Sequence, residues 1–262
     1  MTSEFFIFDL DGTLASSKNA MSEDMTSLLT QLLEKRRVAV ISGGKYELLK
    51  FQVVDELEKV DANLSNLHIL PVSGTQYHIY NKKKSTDRVY DHKVLYKNEF
   101  TASQKLQAIS ALLEVAAELN FLCEVSSGNR IEDRGGQITF SALGQNASIS
   151  QKEQWDPTGS KRHELAMRVQ RLLPALEVRP GGSTSVDITQ IGVNKAYGIR
   201  KLCAITGTSL DQLFYTGDKF NDEGNDYPVI ELGIDYLEVN SLDDTKAFLE
   251  ELLQQLGENE AI

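Results

Sequence analysis

The sequence predicts an α/β fold in which a parallel sheet with crossover helices is interrupted by an inserted α+β segment. Two observations predict it. Apolar runs and amphipathic helical patterns alternate in the first third of the chain, and the same alternation resumes near Asn194. The middle third instead carries the pattern of antiparallel strands packed with helices. Strands that alternate with helices are typical of a parallel sheet, because a helix carries the chain back between neighbouring strands.

The first third follows the order strand, helix, strand, helix and strand. Residues 5–8 (FFIF) and 38–41 (VAVI) are short apolar runs of the kind found in buried strands. Ser22 is suited to cap the helix between them, with acidic residues in its first turn and leucines along one face. A second amphipathic helix spans about 48–57, and a third strand is predicted over 68–72.

The alternation stops after Tyr80 at a polar, basic stretch over 81–85 that we interpret as a linker. A long helix follows, opened by the capping box of Thr101 with Gln104. The later predicted elements are the strands FLCEV, QITFSAL, ALEVR and TSVDIT, a helix over 160–173, a helix from 195, the strands 213–216 and 235–239, and a last helix from 241. Residues 1–81 and 189–262 therefore form the predicted core, and 82–188 form the insertion.

The charge and cysteine content exclude several classes of function. The 27 Lys and Arg against 38 Asp and Glu give a net charge of −11 in 262 residues. Such a chain repels phosphate backbones and anionic lipids, so we expect no nucleic acid and no membrane partner. Cys123 and Cys203 lie in apolar stretches, which favours reduced thiols in a cytoplasmic protein. The segment MTSEFF carries no basic residue, so we expect no secretory leader, and no apolar run reaches the roughly 18–20 residues that span a bilayer.

The strongest motif is Asp9-Leu10-Asp11-Gly12-Thr13, directly after the first apolar run. Ligands of open α/β sheets bind at the carboxyl ends of the strands, so this is where a site is expected. Residues two apart on an extended backbone point the same way, which places the two carboxylates side by side. Neighbouring carboxylates repel each other unless a cation lies between them. The motif therefore predicts a Mg²⁺ site, because Mg²⁺ prefers oxygen ligands.

This motif resembles that of the haloacid dehalogenase-like superfamily of phosphoryl-transfer enzymes. The resemblance implies that Asp9 is the nucleophile and Asp11 the general acid and base. It also implies that the phosphoryl oxygens are bound by Ser42, at the end of VAVIS, by the backbone N–H of Gly43, and by Lys195 after TQIGVN.

The same resemblance implies the remaining metal ligands. Asp218, in the Gly-Asp pair that ends the strand LFYT, joins Asp9 and Asp11 on Mg²⁺. Either Asp222 or Asp226, which follow in the same loop, completes the site, and the sequence leaves both alternatives open.

The insertion lies between the second and third superfamily motifs, as does the large cap of the IIB branch. Within that branch the chain is most similar to the eukaryotic-type phosphomannomutase family. The similarity is carried by GDKFNDEGNDYPV, GGSTSVDI and DRGGQITFSALGQ. It implies a Rossmann-like parallel-sheet core with an α+β cap of the C2b type, and it permits a homodimer formed through the cap.

The similarity also implies a set of substrate-binding residues. Arg134 would bind the distal phosphate of a phosphorylated sugar, and Ser185 and Asp187 would bind its hydroxyl groups. Lys18 stands where that family has an arginine, and Gln145 stands where it has a second cap arginine.

Three functions remain after these observations. Because a mutase needs several cations to hold a bisphosphorylated sugar, the neutral Gln145 favours a sugar-phosphate phosphatase. The alternative is a phosphomannomutase that interconverts mannose 1-phosphate and mannose 6-phosphate. A second alternative is a non-catalytic binding protein on the same fold. A P-loop nucleotide site is excluded, since the sequence contains no GxxxxGK[ST].

Overall fold

The structure, a computed structural model, describes residues 3–84, 88–222 and 224–259. It divides into two compact units, Met1–Lys97 with Asn194–Ile262 and Asn98–Val193. The second unit thus covers residues 98 to 193, and the sequence predicts an insertion over 82 to 188.

The described residues contain strands in two sheets. The strands are β1 (Phe5–Phe8), β2 (Arg37–Ile41), β3 (Leu67–Leu70), β4 (Gln76–Lys82), β5 (Tyr90–Lys97), β6 (Ile131–Asp133), β7 (Gln137–Ser141), β8 (Leu176–Pro180), β9 (Ser185–Gln190), β10 (Leu213–Gly217) and β11 (Asp235–Glu238). The first unit holds the sheet β11-β10-β1-β2-β3-β4-β5, and the second holds β6-β7-β9-β8. Strands β11 to β3 of the first sheet are parallel, which confirms the predicted α/β class.

The α-helices follow the predicted order, except that the helix predicted over 48–57 is divided into two and that two helices, over 149–155 and 227–230, are added. They are α1 (Glu23–Lys35), α2 (Tyr46–Leu49), α3 (Asp55–Lys59), α4 (Ala102–Glu118), α5 (Ile149–Trp155), α6 (Ser160–Leu172), α7 (Lys195–Thr206), α8 (Tyr227–Ile230) and α9 (Leu242–Asn259). Ser22 caps α1 and the Thr101–Gln104 capping box opens α4, as predicted. No helix of the described residues is long and apolar enough to cross a membrane.

The parallel sheet of the first unit carries an apolar layer on each face. Because neighbouring strand residues point to opposite faces, Phe6 and Phe8 lie in one layer while Phe5 and Ile7 lie in the other. The first layer includes buried leucines of α1 and α9, and the second includes Ala196, Ile199 and Leu202 of α7. Two-sided burial explains why β1 reads as a continuous apolar run.

The predicted linker is wrong at its first two residues, because Asn81 and Lys82 belong to strand β4. Strand β5 pairs with β4 along its length, with Tyr80 opposite His92. The hairpin extends the sheet of the first unit, so residues up to Lys97 remain with that unit. Ser85 of the predicted linker lies outside the described residues.

The second unit packs helices α4 and α6 against one face of its antiparallel sheet. The predicted strand FLCEV is instead a 3₁₀ turn over Phe121–Cys123. Asn120 has a left-handed φ of 62° that turns the chain after α4, and the Phe121 ring then packs edge-on to Trp155 at 5.1 Å. Packing into the core therefore overrides the alternating pattern.

A partly buried histidine of β3, His68, gives the first unit a measurable acid sensitivity. His68 Nδ1 lies 2.6 Å from the hydroxyl of Tyr77, and burial lowers the pKa of His68 from 6.5 to about 4. The unfolded chain therefore binds a proton at a higher pH than the folded chain. Stability that is complete above pH 6.5 is lost as the pH falls towards 4, by about 3 kcal/mol in total.

We expect His68→Gln to remove this part of the acid sensitivity. Urea unfolding at about pH 7 and about pH 4 should show a loss of stability that is smaller by about 3 kcal/mol in the variant. His78 has a similarly lowered pKa and is present in both proteins, so it does not affect the difference. Equal losses in the two proteins would contradict the prediction.

Candidate active site

The Asp9-Leu10-Asp11 motif lies at the carboxyl end of β1, in the middle of the parallel sheet. Asp9 is buried, and its N–H donates to the carbonyl of Thr216 at 2.9 Å, which continues the ladder with β10. Gly12 has a φ of +94°, and a Cβ at that position would overlap Oδ2 of Asp218. The turn after Asp11 therefore brings the first motif against residue 218, from the far end of the chain.

Three carboxylates converge at this edge of the sheet. One oxygen each from Asp9, Asp218 and Asp226 lies within 4.8 Å of the others. Lys195, the first residue of α7, is only 1% exposed, and its Nζ donates to Oδ1 of Asp9 and of Asp226, each at 2.5 Å. Asn194 caps α7 and fixes where the helix begins. The buried ammonium thus faces an excess of buried carboxylate charge.

Burial and neighbouring charges shift the pKa values of Asp9, Asp226 and Lys195 in opposite directions. Burial raises the pKa of the Asp9 carboxyl from 3.8 to about 7, although the Lys195 ammonium opposes the shift. Burial also favours the neutral form of Asp226, but Lys195 and the hydroxyl of Tyr215 hold its pKa below its usual value. Those two carboxylates raise the pKa of Lys195 despite its burial. Lys195 and Asp226 are therefore charged, and Asp9 needs further positive charge to remain ionised at neutral pH.

Asp226 is held by four donors and is the more central of the two alternative acids. Its Oδ1 accepts from Lys195 and from the Tyr215 hydroxyl at 2.5 Å, and its Oδ2 accepts from the N–H groups of Asp218 and Lys219 at 3.1 and 3.0 Å. Asp222 is exposed and lies outside the cluster. Four hydrogen bonds occupy Asp226, so it orients Lys195 and the loop that begins at Asp218.

Asp218 offers the clearest opening for a cation. Its Oδ2 pairs with the half-exposed Lys219 ammonium at 3.1 Å, but its Oδ1 is buried without a hydrogen-bond partner among the described residues. A buried carboxylate oxygen without a partner is costly, and a hard divalent cation would satisfy it. Asp9 and Asp218 therefore fit Mg²⁺ in both charge and donor type.

The Ser42–Gly44 loop lies at the same edge, because β2 is the parallel neighbour of β1. The Ser42 side chain is buried directly after β2, and its Oγ accepts from the N–H of Gly44 at 3.1 Å. A Cβ at Gly43 would meet nothing within 4 Å, so open space faces this backbone. The loop has room for a ligand beside Ser42.

Asp11 is held by donors from two segments. Its Oδ1 accepts from the N–H of Lys18 at 3.2 Å and from the side-chain amide of Gln52 at 3.3 Å. The Lys18 side chain is exposed. Neither Gln52 nor Tyr215 is among the site residues predicted from the sequence. The signal was a polar group within an apolar pattern, Gln52 in KFQVV and the Tyr215 hydroxyl in LFYT.

Comparison with known proteins decides the family. Residues 6–224 match the model of the haloacid dehalogenase-like hydrolase family. The chain belongs to this family. Asp9, Asp11 and Asp218 predict membership of the haloacid dehalogenase-like superfamily, and this prediction is confirmed.

Relatives of this haloacid dehalogenase-like chain include phosphomannomutases. It is 26% identical to the phosphomannomutase of Encephalitozoon cuniculi over 96% of this chain and 94% of the relative. It is also 26% identical to phosphomannomutase 2 of Dictyostelium discoideum over 85% of each protein. These relatives and the family make the chain an enzyme of the phosphatase and phosphomutase type, so the non-catalytic alternative is not retained.

Solved structures support the fold of this haloacid dehalogenase-like enzyme. The IMP-nucleotidase of Plasmodium falciparum aligns with a TM-score of 0.70 at 15% identity, over 96% of this chain and 68% of that one. A haloacid dehalogenase-like hydrolase from Bacteroides thetaiotaomicron aligns with a TM-score of 0.60 at 15% identity, over 95% and 99%. At such low identity the likeness concerns the fold alone.

In this haloacid dehalogenase-like enzyme, the four predicted substrate residues of the insertion all lie in the second unit. Arg134 follows β6 and donates to Oε2 of Glu132 at 2.9 and 2.7 Å. Ser185 and Asp187 lie two apart on β9 and therefore share one face of its sheet. Gln145 lies on the loop after β7.

Asp187 is part of a polar network on that sheet. Its Oδ1 accepts from Thr139 Oγ1 at 2.7 Å. Burial raises the pKa of Asp187, while Arg134 and the Thr139 hydroxyl oppose the shift. The structure thus brings Arg134 and Asp187 close enough to interact electrostatically.

Proposed function

We propose that this enzyme is a Mg²⁺-dependent phosphatase of phosphorylated sugars that forms an aspartyl-phosphate on Asp9. The observation that carries the proposal is the cluster of Asp9, Asp218 and Asp226 around the buried Lys195 ammonium. Its excess negative charge lies at the carboxyl edge of a parallel sheet, where α/β enzymes bind their ligands. A phosphate can approach such a cluster only with a cation.

We propose a set of metal ligands that includes two acids of this cluster. Asp9, the backbone carbonyl of Asp11 and Asp218 would hold Mg²⁺, while Asp226 contributes to the site chiefly by orienting Lys195. Bound Mg²⁺ supplies charge neutralisation for the phosphoryl oxygens and keeps Asp9 ionised. The partnerless Oδ1 of Asp218 and the raised pKa of Asp9 support this assignment.

The reaction then takes two steps. A carboxylate oxygen of Asp9 bonds to phosphorus as the bond to the sugar oxygen breaks, and Asp11 gives that oxygen a proton. In the second step Asp11 takes a proton from water, the water oxygen bonds to phosphorus, and the bond to Asp9 breaks. Ser42, the N–H of Gly43 and Lys195 stabilise the charge on the equatorial phosphoryl oxygens in both steps.

The inserted unit is proposed to select the substrate. Arg134 would bind an anionic group of the sugar, and Ser185 and Asp187 would bind hydroxyl groups. Gln145 would contact the substrate through its neutral amide, and Lys18 would contact it through its positively charged ammonium. The match to phosphomannomutases over 96% of the chain, insertion included, supports a sugar-phosphate substrate. We also propose that the enzyme is cytoplasmic. We propose in addition that it forms a homodimer through this unit, and light scattering would measure its oligomeric state.

A phosphomannomutase is the second candidate, and the named relatives favour it. A mutase shares the first step but delivers the phosphoryl group to a sugar hydroxyl instead of water. Our preference for hydrolysis rests on Gln145, because a neutral amide binds a second phosphate more weakly than an arginine does.

One assay separates the two candidates and tests the metal. The enzyme is given mannose 1-phosphate and a hexose bisphosphate activator, and inorganic phosphate and mannose 6-phosphate are followed together. We expect phosphate release that falls at least about 100-fold when EDTA removes Mg²⁺. Formation of mannose 6-phosphate without comparable phosphate release would establish the mutase, and activity insensitive to EDTA would contradict the metal.

A further inference from the structure

Gln52 is a buried polar residue next to the reacting groups that the proposed mechanism leaves without a role. Its side chain is 0% exposed and lies in a π-helical segment, Lys50–Val54, between α2 and α3. Such wide turns within helices occur frequently at functional sites.

The π-helical segment explains how a helix directs this amide inwards. Three successive side chains of this segment, Gln52, Val53 and Val54, are buried. It also brings together residues five apart, and an ion pair joins Lys50 to Asp55 across the segment. The segment therefore places Gln52 beside two valines that fill the apolar core.

Gln52 ties the first motif to the loop that follows it. Its Nε2 donates to Oδ1 of Asp11 at 3.3 Å and to the carbonyls of Asn19 and Ser16 at 2.8 and 3.5 Å. Its backbone carbonyl accepts from the N–H of Met21 at 3.0 Å. Because three acceptors surround the nitrogen, the orientation of the amide is fixed.

The oxygen and the nitrogen of the Gln52 amide contribute differently to the stability of the fold. Oε1 of Gln52 is buried without a hydrogen-bond partner among the described residues. A buried acceptor that has lost water and gained no donor destabilises the fold. The contacts of the nitrogen are therefore the favourable contribution of this side chain.

We propose that Gln52 is a positioning residue for Asp11. Gln52 and the N–H of Lys18 both hold Oδ1 of Asp11, so the carboxyl keeps one orientation and Oδ2 exchanges the proton with the leaving oxygen and with water. This inference rests on the proposed function and adds to it a residue that acts through Asp11 without touching the substrate.

The test uses p-nitrophenyl phosphate, whose weakly basic leaving group needs no proton from Asp11. Breakdown of the aspartyl-phosphate still needs Asp11 to accept a proton from water. In Gln52→Leu we therefore expect a rapid release of about one equivalent of p-nitrophenolate at the wild-type rate. Steady turnover should then be on the order of 10- to 100-fold slower, with KM for the sugar phosphate within about twofold of wild type. Gln52→Glu, which keeps the length and donates no hydrogen bond when ionised, should behave alike.

Val54→Ala is the matched control, because it removes buried volume from the same segment and touches neither Asp11 nor its donors. In this variant we expect the initial release of p-nitrophenolate and the steady turnover to proceed at wild-type rates. The positioning role is overturned if both Gln52 variants leave the rates of the initial release and of steady turnover unchanged. It is also overturned if they slow the two rates by the same factor. A wild-type enzyme that releases neither p-nitrophenolate nor phosphate would overturn the proposed function, and the role of Gln52 with it.

Discussion

Replacing Asp9 with asparagine is expected to lower turnover of every phosphoester substrate by at least about 10⁴-fold. An amide oxygen is a poor nucleophile, and the Lys195 ammonium and Mg²⁺ would both lose a charged partner. The same variant should be at least as stable as wild type without metal near pH 8. Burial raises the pKa of Asp9 from 3.8 to about 7, so ionised Asp9 destabilises the fold increasingly as the pH rises through that window.

Two measurements check this prediction. Turnover is followed with the preferred sugar phosphate, and Tm is measured with and without Mg²⁺. Asp9→Asn should have an equal or higher Tm without metal, and Mg²⁺ should raise its Tm less than that of wild type. Asp235→Asn, which replaces an exposed aspartate of β11, is the control and should behave as wild type does. Retention of a tenth of wild-type turnover by Asp9→Asn would refute the aspartyl-phosphate mechanism.

The elements that converge on this site could be predicted from sequence because their signals are local. Buried parallel strands read as continuous apolar runs, and their carboxyl ends meet at one edge of the sheet. A motif that directly follows such a run is therefore placed correctly without knowledge of the whole fold. Asp9 and Asp218 were located in this way, and the structure brings them together at the carboxyl ends of β1 and β10.

The features that were missed depend on contacts distant in sequence. Strand β5 is mostly exposed and follows a lysine-rich stretch, so the hairpin that closes the sheet resembles a linker. The choice between Asp222 and Asp226 depends on the path of a short loop. The partners of Tyr215 and Gln52 follow from the strand order and from a π-helical turn, so the local sequence shows the two polar groups but not what they contact.

Replacing Lys195 with methionine is expected to cause a large loss of stability. The ammonium is buried between Asp9 and Asp226, and methionine fills a similar volume without charge. Removing one member of a buried ion pair leaves its partners uncompensated, which costs about 3–5 kcal/mol. Turnover should also fall on the order of 10²- to 10³-fold, because the lysine would stabilise phosphoryl charge in the transition state. Urea unfolding and steady-state kinetics measure the two effects.

A double-mutant cycle shows whether charge compensation is the cause. If Lys195 stabilises the fold by neutralising Asp226, then Lys195→Met combined with Asp226→Asn should lose less stability than the sum of the single variants. Mg²⁺ should stabilise Lys195→Met more than wild type, since the metal supplies charge that the lysine no longer provides. Lys201→Met, an exposed lysine on the same helix, is the matched control and should alter stability by less than about 0.5 kcal/mol. Additive losses in the cycle would show that Lys195 acts by packing, and its electrostatic role would then be rejected.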